Sequence, residues 1–125
     1  MKKKVLIIED NELVRETLKE MLEFLGFEVT LAEDGNTAIE KFILAETKKE
    51  PFDLVFIDLI LPGMHGFEVM KELKKIKSDI TAVISSGYSN DNAFRDYENL
   101  GFKDILKKPY TLQELIRLLQ SLKLI

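Results

Sequence analysis

The chain has no cysteine, which excludes disulfides and thiolate metal sites and favours a reducing compartment. It has one histidine, His65, in a loop after a Pro-Gly turn, and a lone loop histidine is expected to be solvent-exposed and inert. Excess positive charge is also missing. With 18 basic and 22 acidic residues the net charge is -4, which leaves no electrostatic footprint for direct nucleic-acid binding. No run of residues approaches the ~20 apolar positions of a membrane span, so membrane insertion is not expected. Lys2-Lys3-Lys4 followed by Val5-Leu6-Ile7-Ile8 starts like a signal peptide, but Glu9-Asp10 stops the apolar run short of the ~7–15 residues needed. These absences place the chain in the cytoplasm. Linkers, repeats and low-complexity segments are absent too.

The 125 residues suit a single domain, 1–125, with one compact core. Apolar residues make up an ordinary 46%, while 32% charged residues imply a strongly solvated helical exterior. Short apolar runs alternate with amphipathic stretches. Val5–Ile8 reads as a buried strand, and Asn11 can cap a helix carrying Val14, Leu18, Met21, Leu22 and Leu25, stopped at Gly26. Phe27–Ala32 alternates like a strand near a sheet edge, and Asp34-Gly35 reads as a turn before a helix with Ala38, Ile39, Phe42 and Ile43. Glu46–Glu50 reads as a solvated tail ended by Pro51.

Phe52-Asp53-Leu54-Val55-Phe56-Ile57-Asp58 is the central strand, and the Leu-Pro-Gly-Met-His-Gly loop after it leaves Asp58 at an open carboxyl end. A third helix begins near Gly66 with Val69, Met70, Leu73 and Ile76. Ile80–Ile84 is strand four, with Ser85-Ser86-Gly87 at its end. A fourth helix carries Ala93, Phe94, Tyr97 and Leu100, capped by Ser89, and its thin apolar stripe makes it the helix most apt to move. Phe102–Leu106 is strand five, broken by Lys107-Lys108-Pro109, and Thr111-Leu-Gln-Glu114 is a capping box for the last helix. That helix buries Leu112, Leu115, Ile116, Leu119 and Leu122, while Leu118, Leu124 and Ile125 widen its apolar face toward a partner surface or a frayed end. Five strand–helix alternations predict a five-stranded parallel sheet covered by helices on both faces.

In such a sheet ligands bind at the carboxyl ends of the strands. Glu9 and Asp10, Asp58, Ser85 and Ser86, and Lys108 all fall there. Three carboxylates in one cleft repel one another unless a cation compensates, and a hard divalent ion with oxygen ligands and retained waters suits Mg²⁺. A carboxylate can act as nucleophile toward a phosphoryl group while a metal and a lysine neutralise charge. Asp58 is best placed for that role, with Lys108 pairing one phosphoryl oxygen and Ser86 donating to another.

These residues together make the chain resemble the receiver domain of two-component response regulators over essentially its whole length. The matching motifs are Glu9-Asp10, Asp58, Leu61-Pro62-Gly63-Met64 with Gly66, Ser86-Gly87 and Lys108-Pro109. The resemblance implies a flavodoxin-like, doubly wound α/β fold of strand order 2-1-3-4-5. It implies Mg²⁺ held by Asp10, Asp58 and the backbone carbonyl of Ile60, with Glu9 assisting through water. Asp58 would accept a phosphoryl group from a histidine kinase or phosphotransfer protein, with no enzymatic activity beyond its own phosphorylation and dephosphorylation. Ser86 and Ile105 would be the switch positions, acting on a downstream protein through the surface of helix four, strand five and the last helix. A cis Lys108-Pro109 bond is implied as well.

Ile105 stands where the family has an aromatic ring, and its inward and outward rotamers differ less in shape. His65 stands where the family usually has Asp. Ile60 and Tyr88, with Gly87 between the latter and Ser86, flank the site and suggest slow self-dephosphorylation. Ser85-Ser86-Gly87-Tyr88-Ser89 is similar to receivers of hybrid histidine kinases, and a free-standing receiver and an excised domain fit equally. The rivals are weaker. A haloacid-dehalogenase-like phosphohydrolase needs an acid two residues after its nucleophile, where this chain has Ile60. A flavin binder needs a phosphate loop where Glu9-Asp10 stands. A degenerate receiver acting only as an interaction module would not need all five site positions.

Overall fold

Leu54–Asp58 forms a strand buried at every position, which requires neighbours on both edges and cover on both faces. A computed structural model, describing residues 2–87 and 97–125, supplies them. The strands are β1 (Lys4–Ile8), β2 (Glu28–Ala32), β3 (Leu54–Asp58), β4 (Ala82–Ser86) and β5 (Asp104–Lys107). The helices are α1 (Glu12–Phe24), α2 (Gly35–Thr47), α3 (Gly66–Ile76) and the C-terminal α4 (Leu112–Ser121). All strand pairs are parallel, in the order β2-β1-β3-β4-β5, so β2 is the edge strand its alternating sequence predicts.

Alternate residues of each strand serve two cores. Leu6, Ile8, Val55, Ile57 and Ile84 pack with Ala38 and Phe42 of α2 and Val69, Met70 and Leu73 of α3. Val5, Ile7, Leu54, Phe56 and Val83 pack with Leu18 and Leu22 of α1 and Leu115, Leu118 and Leu119 of α4. The period-2 alternation of strand side chains is the cause, and the result is a doubly wound sheet.

Several boundaries move for local reasons. Asp34 caps α2 by accepting from the Thr37 N–H, so Asp34-Gly35 opens the helix rather than making a separate turn. The helix runs to Thr47, two residues into the charged tail, and Ile43 is 46% exposed instead of packed. Ser85 and Ser86 lie inside β4, which begins at Ala82. Leu118 is buried in the second core and so leaves the exposed face assigned to it. Asn11 and the Thr111–Glu114 capping box cap α1 and α4 as expected, and Gly26 takes the left-handed φ of +95°. The expected fourth helix, with Ser89, Ala93 and Phe94, lies largely outside the described residues, as does the site-flanking Tyr88.

Candidate functional site

Sheet order decides which strand ends meet. Because β1 and β3 are neighbours, with Ile8 beside Ile57, the residues that follow them converge. Glu9 and Asp58 are buried, Asp10 is exposed, and one carboxylate oxygen from each lies within 4.8 Å of the others. On β4, Ser85 pairs in register with Asp58, and Ser86 pairs with Lys107 of β5. The Lys108 N–H donates to the Ser86 carbonyl at 2.8 Å, and the Lys108-Pro109 bond is cis. The structure therefore brings Glu9, Asp10, Asp58, Ser85, Ser86 and Lys108 to one edge.

Lys108 Nζ is hydrogen-bonded and ion-paired to Glu9 Oε1 and stands 3.7 Å from Asp58 Oδ2. One cation thus serves two buried carboxylates, with Asp10 beside them. Burial pushes the Glu9 carboxyl up to about 7, against the lowering pull of Lys108 and of the Asn11 N–H, which donates to Glu9 Oε2 at 3.1 Å. The Asp58 charge adds to the upward shift. This is a cluster short of positive charge, and its donors are hard oxygens. A small divalent cation fits it chemically.

The backbone around Asp58 is tight. The Ile60 N–H points to Asp58 Oδ1 at 3.5 Å, while the Ile60 side chain is 53% exposed. The Gly66 N–H donates to the Leu59 carbonyl at 2.8 Å, and a Cβ on Gly66 would sit 2.4 Å from the Asp58 carbonyl oxygen. Only glycine lets α3 start this close to the end of β3. His65 is half-buried rather than free in solvent. Its Nδ1 accepts from the Phe67 N–H at 3.1 Å as the α3 N-cap, and its ring lies 4.8 Å from that of Phe67.

Ile105 is half-buried against the α2/α3 core. Gly87 is exposed, and Tyr88 lies outside the described residues. Two neighbours of the site escaped sequence reading. Arg15 of α1 is buried and donates to the carbonyls of Glu9 and Asp10, and its spacing from Leu18 and Leu22 was the available signal. Tyr110 packs on the α1/α4 core with its hydroxyl buried, and burial pushes that phenol up to about 12, with Ser85 offsetting only part of the shift.

Comparison with known proteins matches this arrangement. The family described as response regulator receiver domain matches residues 5–120. The transcriptional regulatory protein CrdR of Helicobacter pylori is 39% identical over 116 residues, covering 92% of this chain and 52% of that protein. A cyclic di-GMP phosphodiesterase of Thermotoga maritima is 33% identical over 114 residues, covering 91% of this chain and 29% of that protein. The chain thus spans about half or less of the length of these curated relatives. The crystal structure of the response regulator TrrA from Thermotoga maritima, in complex with Mg²⁺-BeF, superposes with a TM-score of 0.82 at 31% identity, covering 96% of this chain and 98% of that one. With strand order, site edge and family match in agreement, this chain belongs to the receiver domains of two-component response regulators.

Proposed function

We propose that Asp58 is the phosphoacceptor of this receiver domain and that residues 1–125 act as one regulatory unit rather than as an enzyme. The observation that carries the reading is the meeting of Asp58 with Glu9, Asp10 and Lys108 at the end of the central strand. A phosphohistidine on a histidine kinase or phosphotransfer protein is the donor. The bond from phosphorus to the imidazole nitrogen breaks as that to an Asp58 carboxylate oxygen forms, and the nitrogen leaves with the electron pair.

Asp10, Asp58 and the Ile60 carbonyl would hold Mg²⁺, with Glu9 assisting through water. When bound, the ion supplies the positive charge that the three carboxylates and the phosphoryl oxygens lack. Lys108 exchanges its Glu9 partner for a phosphoryl oxygen, and the Ser86 hydroxyl donates to another. Both contacts exist fully only in the phosphorylated state, which is the differential interaction a switch requires.

The readout surface involves β5 and α4, where Asp104, Ile105, Lys107, Glu114, Arg117 and Ser121 line a groove of about 460 Å³. A downstream protein docks there. The reading places the domain in the cytoplasm; among the described residues no helix is long and apolar enough to cross a membrane. Direct nucleic-acid binding is not part of this reading. The exposed Ile60 side chain restricts water at the site, giving a phosphorylated lifetime longer than seconds.

Intact mass after incubation with Mg²⁺ and acetyl phosphate tests the proposal. One added phosphoryl group is expected, lost in Asp58→Asn and blocked by EDTA. An undiminished adduct in Asp58→Asn, or none in the wild type with any phosphodonor, overturns it.

A further inference from the structure

Arg15 is a charged side chain only 9% exposed, on the buried side of α1 together with Leu18 and Leu22. Its guanidinium donates through Nη1 to the Glu9 carbonyl at 3.0 Å and to the Asp10 carbonyl at 3.3 Å. Its Nη2 lies 3.6 Å from Glu33 Oε1, just beyond β2. The Glu9 N–H donates to the Ala32 carbonyl at 3.0 Å, so the same turn is tied to β2 from both sides.

We infer that Arg15 is a positioning residue for divalent-cation binding: it holds the peptides of Glu9 and Asp10 so that both carboxylates face Asp58. The inference rests on the metal site proposed above and adds a residue that touches neither the ion nor the phosphoryl group. Two effects of the guanidinium oppose each other. Its charge repels a nearby cation, while Nη1 alone, with its two N–H groups, fixes two consecutive carbonyls that would otherwise turn with the exposed Asp10. Glu33 offsets the charge, and the hydrogen bonds to the backbone remain, so positioning outweighs repulsion. A lysine, with one compact ammonium on a flexible stem, cannot engage the carbonyls and Glu33 through separate nitrogens held in one plane.

The test measures Mg²⁺ affinity by calorimetry and Mn²⁺ affinity by electron paramagnetic resonance, with no phosphodonor present. Arg15→Met is expected to weaken both about tenfold. The Mg²⁺ concentration for half-maximal acetyl-phosphate phosphorylation should rise by the same factor, with the rate at saturating Mg²⁺ within about twofold of wild type. Leu18→Val, on the same helix face, controls for stability loss and should leave both affinities unchanged. If Arg15→Met does not fold, Arg15→Lys carries the test, and an affinity reduced at least threefold supports the inference. Wild-type affinity in the folded Arg15 variant, tighter binding, or an equal loss in Leu18→Val overturns it. No metal binding by the wild-type protein would instead overturn the metal site itself, and the positioning role with it.

Discussion

Opposite ends of β1 carry the same chemistry in different surroundings. At the amino end, Lys4 Nζ pairs with Glu50 at 2.9 Å and Glu28 at 3.1 Å, and the Lys4 N–H donates to Asp53 at 2.8 Å. At the carboxyl end, Lys108 pairs with Glu9 and Asp58. The glutamates around Lys4 are 57% and 60% exposed, while the Glu9 and Asp58 side chains are 4% and 10% exposed. Exposure lets the first set settle as ordinary ion pairs: Lys4 holds the Glu50 carboxyl below its usual range, and Glu50 followed by Glu28 raises the Lys4 ammonium. Burial drives Glu9 the other way, up to about 7, despite its lysine. A charge cluster becomes a site when burial leaves its charge uncompensated, and pairing alone does not make one.

The contrast can be broken most strongly at the lysines. Lys108→Met should slow phosphoryl uptake from acetyl phosphate about 100-fold, the usual scale for losing one preorganised charge-stabilising group, while Lys4→Met leaves the rate unchanged. Equal rates in the two variants, followed by intact mass over time, would erase the distinction.

Metal addition separates the ends next. Mg²⁺ at about 100 times its Kd should stabilise the wild type by about 2.7 kcal/mol in urea denaturation, and Asp10→Asn should lose most of that gain. Glu28→Gln, at the amino end, should keep it.

Glycines give a third comparison. Gly66→Ala drives a methyl group against the Asp58 carbonyl and should cost about 1–3 kcal/mol while weakening Mg²⁺ binding. Gly26→Ala meets no atom within 4 Å but keeps a φ of +95°, so about 1 kcal/mol is lost with metal affinity intact. Calorimetric titration of the two variants distinguishes these outcomes. The smallest effect is expected for Lys4→Met on thermal stability, where solvent and salt screen both partners and no shift in Tm beyond experimental error should appear.

Much of this contrast was legible in the chain. The apolar run of β3 ending on Asp58, the acidic pair after β1 and the lysine after β5 mark three strand ends, and period-2 and helical spacing order the elements. Arg15 was harder to read, because a charged residue one turn before Leu18 looks like solvated helix until its carbonyl partners are seen. His65 was misjudged for a related reason: a histidine in a loop carries no pattern that announces an N-cap. Ser85 and Ser86 fall inside β4 because pairing with Asp58 and Lys107 extends the strand past its apolar run.

Local sequence was enough for the kind and order of the described elements, for the caps at Asn11 and Thr111, and for the placing of Glu9, Asp10, Asp58 and Lys108 at strand ends. These are local properties, written in side-chain periodicity and in residues such as Asn11, Thr111 and Glu114 that bond to nearby backbone. It took the packed chain to show that Lys108 spans 99 residues to reach Glu9, that the same lysine stands off Asp58 at 3.7 Å, and that Arg15 turns inward behind the acidic pair. Those relations depend on which strands lie side by side and on how deeply their ends are buried, and packing of the whole chain sets both.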